Sequence, residues 1–298
     1  MTSLNMTQLL NTSILLRRYL MLQKHSGMLA NWLEHADKEG VVHGYVNSCG
    51  AVTGRCTHSS PNIAQVPSGK VQYGKEMRSC WIPRQGYVMV DIDLSGIELR
   101  CLAHYMQDEE WTKELLEGDV HTKNQMAAGL DTRDQAKTFI YALLYGAGAA
   151  KIGSITGHGA KIGQARIDKF KADTPRYSKL LDKVQSIVLK YGSLPGLDGR
   201  RLWVRSEHKA LNTLLQNAGA VVAKQWMVDV NVAIKQQGIR AHQLGFIHDE
   251  LVFECHSDDA EKLAELAKRL ANEVRDVVGF RCRIDAEAKI GADWSEVH

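Results

Sequence analysis

The chain has only five prolines and no low-complexity tract in 298 residues, which argues against disorder. Six cysteines stand at 49, 56, 80, 101, 255 and 282 without one C-x-x-C pair, so neither a zinc knuckle nor a dithiol redox motif is present. Scattered single thiols suit a reducing compartment. No apolar run approaches the ~20 residues that cross a bilayer. The polar start, Met1 to Leu10, has no apolar signal core. These absences predict a cytoplasmic protein with no membrane partner. No Walker A sequence occurs, so a P-loop ATPase is excluded. The net charge is only +3, so any hold on nucleic acid must come from a local patch. With 44% hydrophobic and 24% charged residues, the chain can bury the cores of two or three structural units.

What is present is organised around Val88–Arg100. Val88, Val90 and Ile92 alternate with Met89, Asp91 and Asp93, as in a strand. Ser95-Gly96 breaks it, and a helical face follows from Ile97. Asp93 therefore sits at the carboxyl end of a strand, an edge where ligands and metals collect in layered folds.

Upstream, residues 1–39 read as helix, with an apolar face from Leu9, Leu10 and Ile14 to Leu22, an interruption at Gly27 and a stop at Gly40. Residues 41–47 alternate like a strand. Gly50–Thr57 reads as a glycine-bounded hairpin centred on Arg55.

A mostly helical block spans about 105–190. Within it, Thr132 or Asp131 caps a helix on which Arg133, Lys137, Tyr141 and Tyr145 recur every four residues. Each step turns about 400°, so the four side chains form one slowly drifting stripe. Two cations followed by two aromatics suit a nucleotide, with charge for the phosphates and a ring for the sugar or base. Downstream, a long helix opens at Asn212 and is capped by Gly238, with Asn212 and Gln216 on one face. Leu244–Cys255 reads as an apolar hairpin with His248-Asp249-Glu250 at its turn. A helix over 258–279 and an edge strand over 282–286 complete the pattern.

Two strand-borne carboxylates facing a helix with spaced Arg and Lys make a recognisable set. Asp93 and Asp249 could share two divalent cations about 3.5–4 Å apart. Oxygen ligation favours Mg²⁺ over zinc. Such a pair supports nucleotidyl transfer, with Lys137 and Arg133 countering charge on the triphosphate.

These motifs resemble those of family A (polymerase I type) DNA polymerases, nearest to the replicative enzymes of short-tailed bacteriophages. Asp91–Arg100 is similar to motif A, Arg133–Gly148 to motif B and His248–Glu250 to motif C. The resemblance runs from about residue 15 to the end.

It implies an α+β right-hand fold, with an antiparallel palm sheet backed by helices and an inserted all-helical fingers subdomain. Residues 1–40 would be the end of the thumb, 41–104 and 212–298 the palm, and 105–211 the fingers. It implies Asp93, Asp249 and the Leu94 carbonyl as ligands of two Mg²⁺ ions, with Mn²⁺ able to substitute. His121, Arg133 and Lys137 would contact the triphosphate, and Tyr141 the incoming sugar. Glu98 with Tyr145 would exclude a ribose 2′-OH. Tyr145 and Gly148 would lie near the templating base. Arg55, Asn212, Gln216 and His248 would meet the primer terminus or minor groove.

The implied partners are primer-template DNA and dNTPs, probed in the minor groove by shape rather than sequence. No exonuclease is expected in this chain. A separate thumb and exonuclease chain would then be a further partner, needed for activity in a split enzyme. A single-subunit RNA polymerase shares the two aspartates, but Glu98 argues against it.

Overall fold

The computed structural model describes residues 6–298, with side chains from Leu10 onward; Met1–Asn5 and the Leu9 side chain, part of the expected first helix, lie outside the described residues. The helices are α1 (Met6–His35), α2 (Gly74–Arg78), α3 (Ile97–Met106), α4 (Glu109–Glu117), α5 (Val120–Ala128), α6 (Arg133–Leu144), α7 (Ala149–Ile155), α8 (Ala160–Asp173), α9 (Pro175–Tyr191), α10 (Ala210–Gln237), α11 (Ala260–Val278) and α12 (Trp294–Val297). The strands are β1 (Tyr45–Asn47), β2 (Thr57–Ser59), β3 (Tyr87–Leu94), β4 (Ser193–Pro195), β5 (Arg201–Trp203), β6 (Ala241–Ile247), β7 (Glu250–His256) and β8 (Ala286–Gly291).

Strands β6-β7-β3-β8 form one antiparallel sheet, and β1-β2 and β4-β5 are separate two-stranded ribbons. The class is α+β, as expected. The period-two pattern of β3 sends Val90, Ile92 and Leu94 into the main core with Trp226 of α10 and Leu263 of α11. The indole N–H of Trp226 donates to the Ala267 carbonyl at 2.9 Å and so locks α10 to α11. The opposite face holds a smaller core: Met89 and Val252 pack with Trp32, Val66, Met77 and Trp294. Asp91 and Asp93 belong to that second face.

Three expectations change. Gly27 does not interrupt α1, which runs through it as one helix; flanking residues carry the backbone ladder past an isolated glycine. The strand expected over 41–47 is paired only at Tyr45–Asn47, with Val42 in a lone bridge to Ala36. The edge strand is Ala286–Gly291 rather than 282–286. Cys282 and Ile284 are fully buried in the main core, so their alternation reflects packing under helices. Asp285 is taken by Arg100, whose Nη2 donates to it at 3.0 Å, and the Asp285 carbonyl accepts from Ser95 N at 2.8 Å. That lattice of contacts closes the turn after β3.

Candidate active site

The site grows from the end of the sheet. Asp93 pairs with Glu250 in the β3–β7 register. The β6–β7 hairpin turns through two residues, His248 and Asp249, because Ile247 pairs directly with Glu250. His248 takes a φ of 61°, a left-handed conformation uncommon for a side-chain-bearing residue and typical of functional turns. The Leu94 amide donates to the Asp249 carbonyl at 3.2 Å, which ties the turn beside Asp93.

The two carboxylates are crowded. Burial, then the charge of Asp93, pushes the Asp249 carboxyl up to about 8. Asp93 reaches solvent at its rim, yet loss of hydration, then Glu250, raises it to about 6. Beneath them, burial and Glu250 also raise Asp91.

This donor set fits a hard divalent cation: crowded, partly desolvated carboxylate oxygens that repel each other and that a positive ion would stabilise in the charged form. Among the described residues no three His, Cys, Asp or Glu side chains form a metal cluster. An ion on Asp93 and Asp249 would therefore complete its shell with backbone carbonyl, water or phosphate oxygens.

Glu98, in the first turn of α3, faces the pair. Its Oε1 accepts from Arg55 Nη2 at 3.4 Å and from the Tyr145 hydroxyl at 3.2 Å. Arg55 can reach it because its ribbon is pinned. Asn217, fully buried on α10, donates to the Thr53 carbonyl at 3.1 Å and accepts from Leu197 N at 2.8 Å. Lys224 caps the Ser48 and Gly54 carbonyls, and His58 Nε2 meets the Phe246 carbonyl at 3.0 Å. Arg55 is thus half-buried.

The α6 stripe forms the other wall. Thr132 is the N-cap, its hydroxyl accepting from Gln135 N at 3.2 Å. Phe139, Ile140, Leu143 and Leu144 are buried, whereas Arg133, Lys137 and Tyr145 are exposed and Tyr141 is half-buried. Tyr141 stands where burial, then Glu98, Asp249 and Asp93 together push its phenol up to about 12. His121 lies with its ring centroid 6.5 Å from that of Tyr141. Burial, then the Arg133 charge, holds His121 below the usual imidazole range.

The structure therefore brings together Asp93, Asp249, Glu98, Arg55, Tyr145 and Tyr141, with His121 and Arg133 beside them. His248 sits on the turn, its pKa lowered by local burial and then by Arg55. Asn212 and Gln216 are half-buried on α10, and Gly148 is the exposed N-cap of α7. Sequence reasoning missed Asp91 and His298. Asp91 was legible as the residue two before Asp93, hence on the same face. The imidazole of His298 lies 3.3 Å from Glu250 Oε2, a contact across the fold that no local pattern announces.

The fold is the right-hand polymerase fold. It superposes on the POL domain of Pol1 from M. smegmatis, solved in complex with DNA primer-template and dNTP, with a TM-score of 0.84 over 94% of this chain and 53% of that chain, at 22% identity. The chain belongs to DNA polymerase family A, whose model matches residues 2–296. Among its relatives, the DNA-directed DNA polymerase of Enterobacteria phage T3 is 40% identical and that of Escherichia phage T7 39%, each match covering 95% of this chain and 46% of the relative. The chain thus spans just under half the length of these relatives. Among the described residues no helix is long and apolar enough to cross a membrane.

Proposed function

We propose that the chain performs template-directed DNA synthesis, joining dNTPs to a primer 3′-OH, as part of phage-type DNA replication. The observation that carries this is the meeting of Asp93, Asp249 and Glu98 with Tyr141 at the end of the sheet. Two Mg²⁺ ions on Asp93, Asp249 and the Leu94 carbonyl would activate the attacking hydroxyl and neutralise the leaving pyrophosphate.

The chain's own residues do the rest. Arg133, Lys137 and His121 bind and orient the triphosphate, and Tyr141 supports its sugar. The Glu98–Tyr145 contact closes the space a ribose 2′-OH would need, which favours DNA over RNA synthesis. Gly148 and Tyr145 border the templating base. Arg55, His248, Asn212 and Gln216 align the primer end and its minor groove. In this reading 41–104 and 212–298 act as palm and 105–211 as fingers.

Further polymerase chain, either covalently continuous or a separate thumb and exonuclease subunit, completes the grip on duplex DNA. Two facts favour this. The match spans under half of the phage relatives. In addition, α1 exposes Leu10, Ile14, Leu15, Leu16, Tyr19 and Leu20, each by more than half, and a helix apolar on several sides is ordinarily covered by protein.

The test is single-nucleotide incorporation on a primed template with Mg²⁺. Addition only of the dNTP complementary to the template base is expected. Addition without regard to the template would refute the reading.

A further inference from the structure

Two of the proposed triphosphate contacts, His121 and Arg133, sit on different helices, and one carboxylate joins those helices. Asp119 is the N-cap of α5. Its Oδ1 accepts from the backbone amides of His121 at 3.1 Å and Thr122 at 3.3 Å. Its Oδ2 accepts from the Thr122 hydroxyl at 2.8 Å and from Arg133 Nε, the first residue of α6, at 2.7 Å. Capping needs only an oxygen facing the first-turn amides. Asp108, the N-cap of α4, does that alone, accepting from Trp111 N at 3.0 Å with no cation on its carboxylate among the described residues. The second oxygen of Asp119 is committed to Arg133.

The geometry of that commitment matters. The carboxylate holds the guanidinium by Nε. No hydrogen bond from its two terminal nitrogens is made among the described residues. The terminal fork is the edge that binds phosphate bidentately. Asp119 thus fixes a long, exposed side chain and leaves its recognition edge free.

We infer that Asp119 is a positioning residue of the triphosphate subsite, aiming Arg133 through Nε. This rests on the proposed role of His121 and Arg133. Two effects oppose each other. Asp119 brings negative charge near a triphosphate, but both side chains of the ion pair are about half exposed, so that charge is well screened. Ordering the arginine before the ligand arrives is the larger effect, because Arg carries the rotamer freedom of a long side chain.

The test is equilibrium binding of a fluorescent dNTP to the full chain with Mg²⁺, read by anisotropy, together with thermal melting. The variants are Asp119→Ala, Asp119→Asn, Arg133→Ala and Asp119→Ala with Arg133→Ala. Loss of one charge-assisted contact predicts about tenfold weaker binding for Asp119→Ala. The double variant should bind no more weakly than Arg133→Ala, since Asp119 acts through Arg133. Asp119→Asn keeps an oxygen for the cap but cannot accept from Nε if that oxygen faces the amides. It should melt near wild type and still bind weakly. Wild-type affinity in Asp119→Asn, or multiplicative losses in the double variant, would overturn the inference and leave Asp119 a helix cap. Unchanged binding in Arg133→Ala would instead remove the triphosphate reading on which it rests.

Discussion

The Tyr145 hydroxyl donates to Glu98 Oε1 at 3.2 Å and so joins the end of α6 to the start of α3 across 47 residues of chain. Arg55 reaches the same oxygen from the β1–β2 ribbon. Three separate segments therefore meet on one carboxylate above Asp93 and Asp249. Substitution of Glu98 by Ala frees the tyrosine and opens the space. Sugar selection, measured as the ratio of dNTP to rNTP incorporation efficiency, should fall by roughly 10–200-fold, the range of a steric discrimination of this size. Unchanged selection would remove Glu98 from the gate.

Tyr141 supplies a second expectation. Its phenol, raised to about 12, stays protonated at neutral pH and can donate a hydrogen bond. A donor there can stand in for the contact that a missing 3′-OH would make. Dideoxynucleotides should be incorporated readily, and Tyr141→Phe should discriminate against them by about tenfold, the worth of one hydrogen bond. Equal discrimination by both proteins would contradict this role.

Mg²⁺ binding should depend on pH. Asp249 is held up to about 8 and Asp93 to about 6 without a cation, both above the unfolded value near 4. The folded, metal-free protein therefore binds protons that the unfolded chain has released. Its stability from these groups is greatest below about pH 4 and is lost as pH rises through 6 and 8. Mg²⁺ must displace those protons, so its affinity should rise from pH 6 to 8, with proton release seen by calorimetry in buffers of different ionisation heat. Affinity that is flat across that range would show that these carboxylates are not the ligands.

The exposed apolar residues of α1 lead to a different measurement. Replacing Leu15 and Leu16 by Lys should change stability by no more than about 0.5 kcal/mol, because both are exposed. The same change should lower self-association of the isolated chain in sedimentation, because large exposed apolar patches drive association. A large loss of stability would mean that the helix is covered within this chain.

Much of this was legible in the sequence. The alternation through Ile92, the four-residue spacing of Arg133, Lys137, Tyr141 and Tyr145, and His-Asp-Glu between apolar strands each follow from a fixed period, and each element formed where that period placed it. What stayed hidden depends on contacts between distant segments. Nothing near Arg55 announces Glu98, nothing near Glu250 announces His298, and nothing near Asp119 announces that its second oxygen holds Arg133 of the next helix. The misplaced edge strand has the same cause: burial under helices imposed an alternation on Cys282 and Ile284 that resembles that of a strand.

The most direct measurement is extension of a primed DNA template with Mg²⁺ and dNTPs by this chain beside Asp249→Ala, with any further polymerase chain it requires added to both. Extension by the intact protein and a loss of at least about a hundredfold in the variant is the expected result. Extension that survives Asp249→Ala would contradict the assignment of the site.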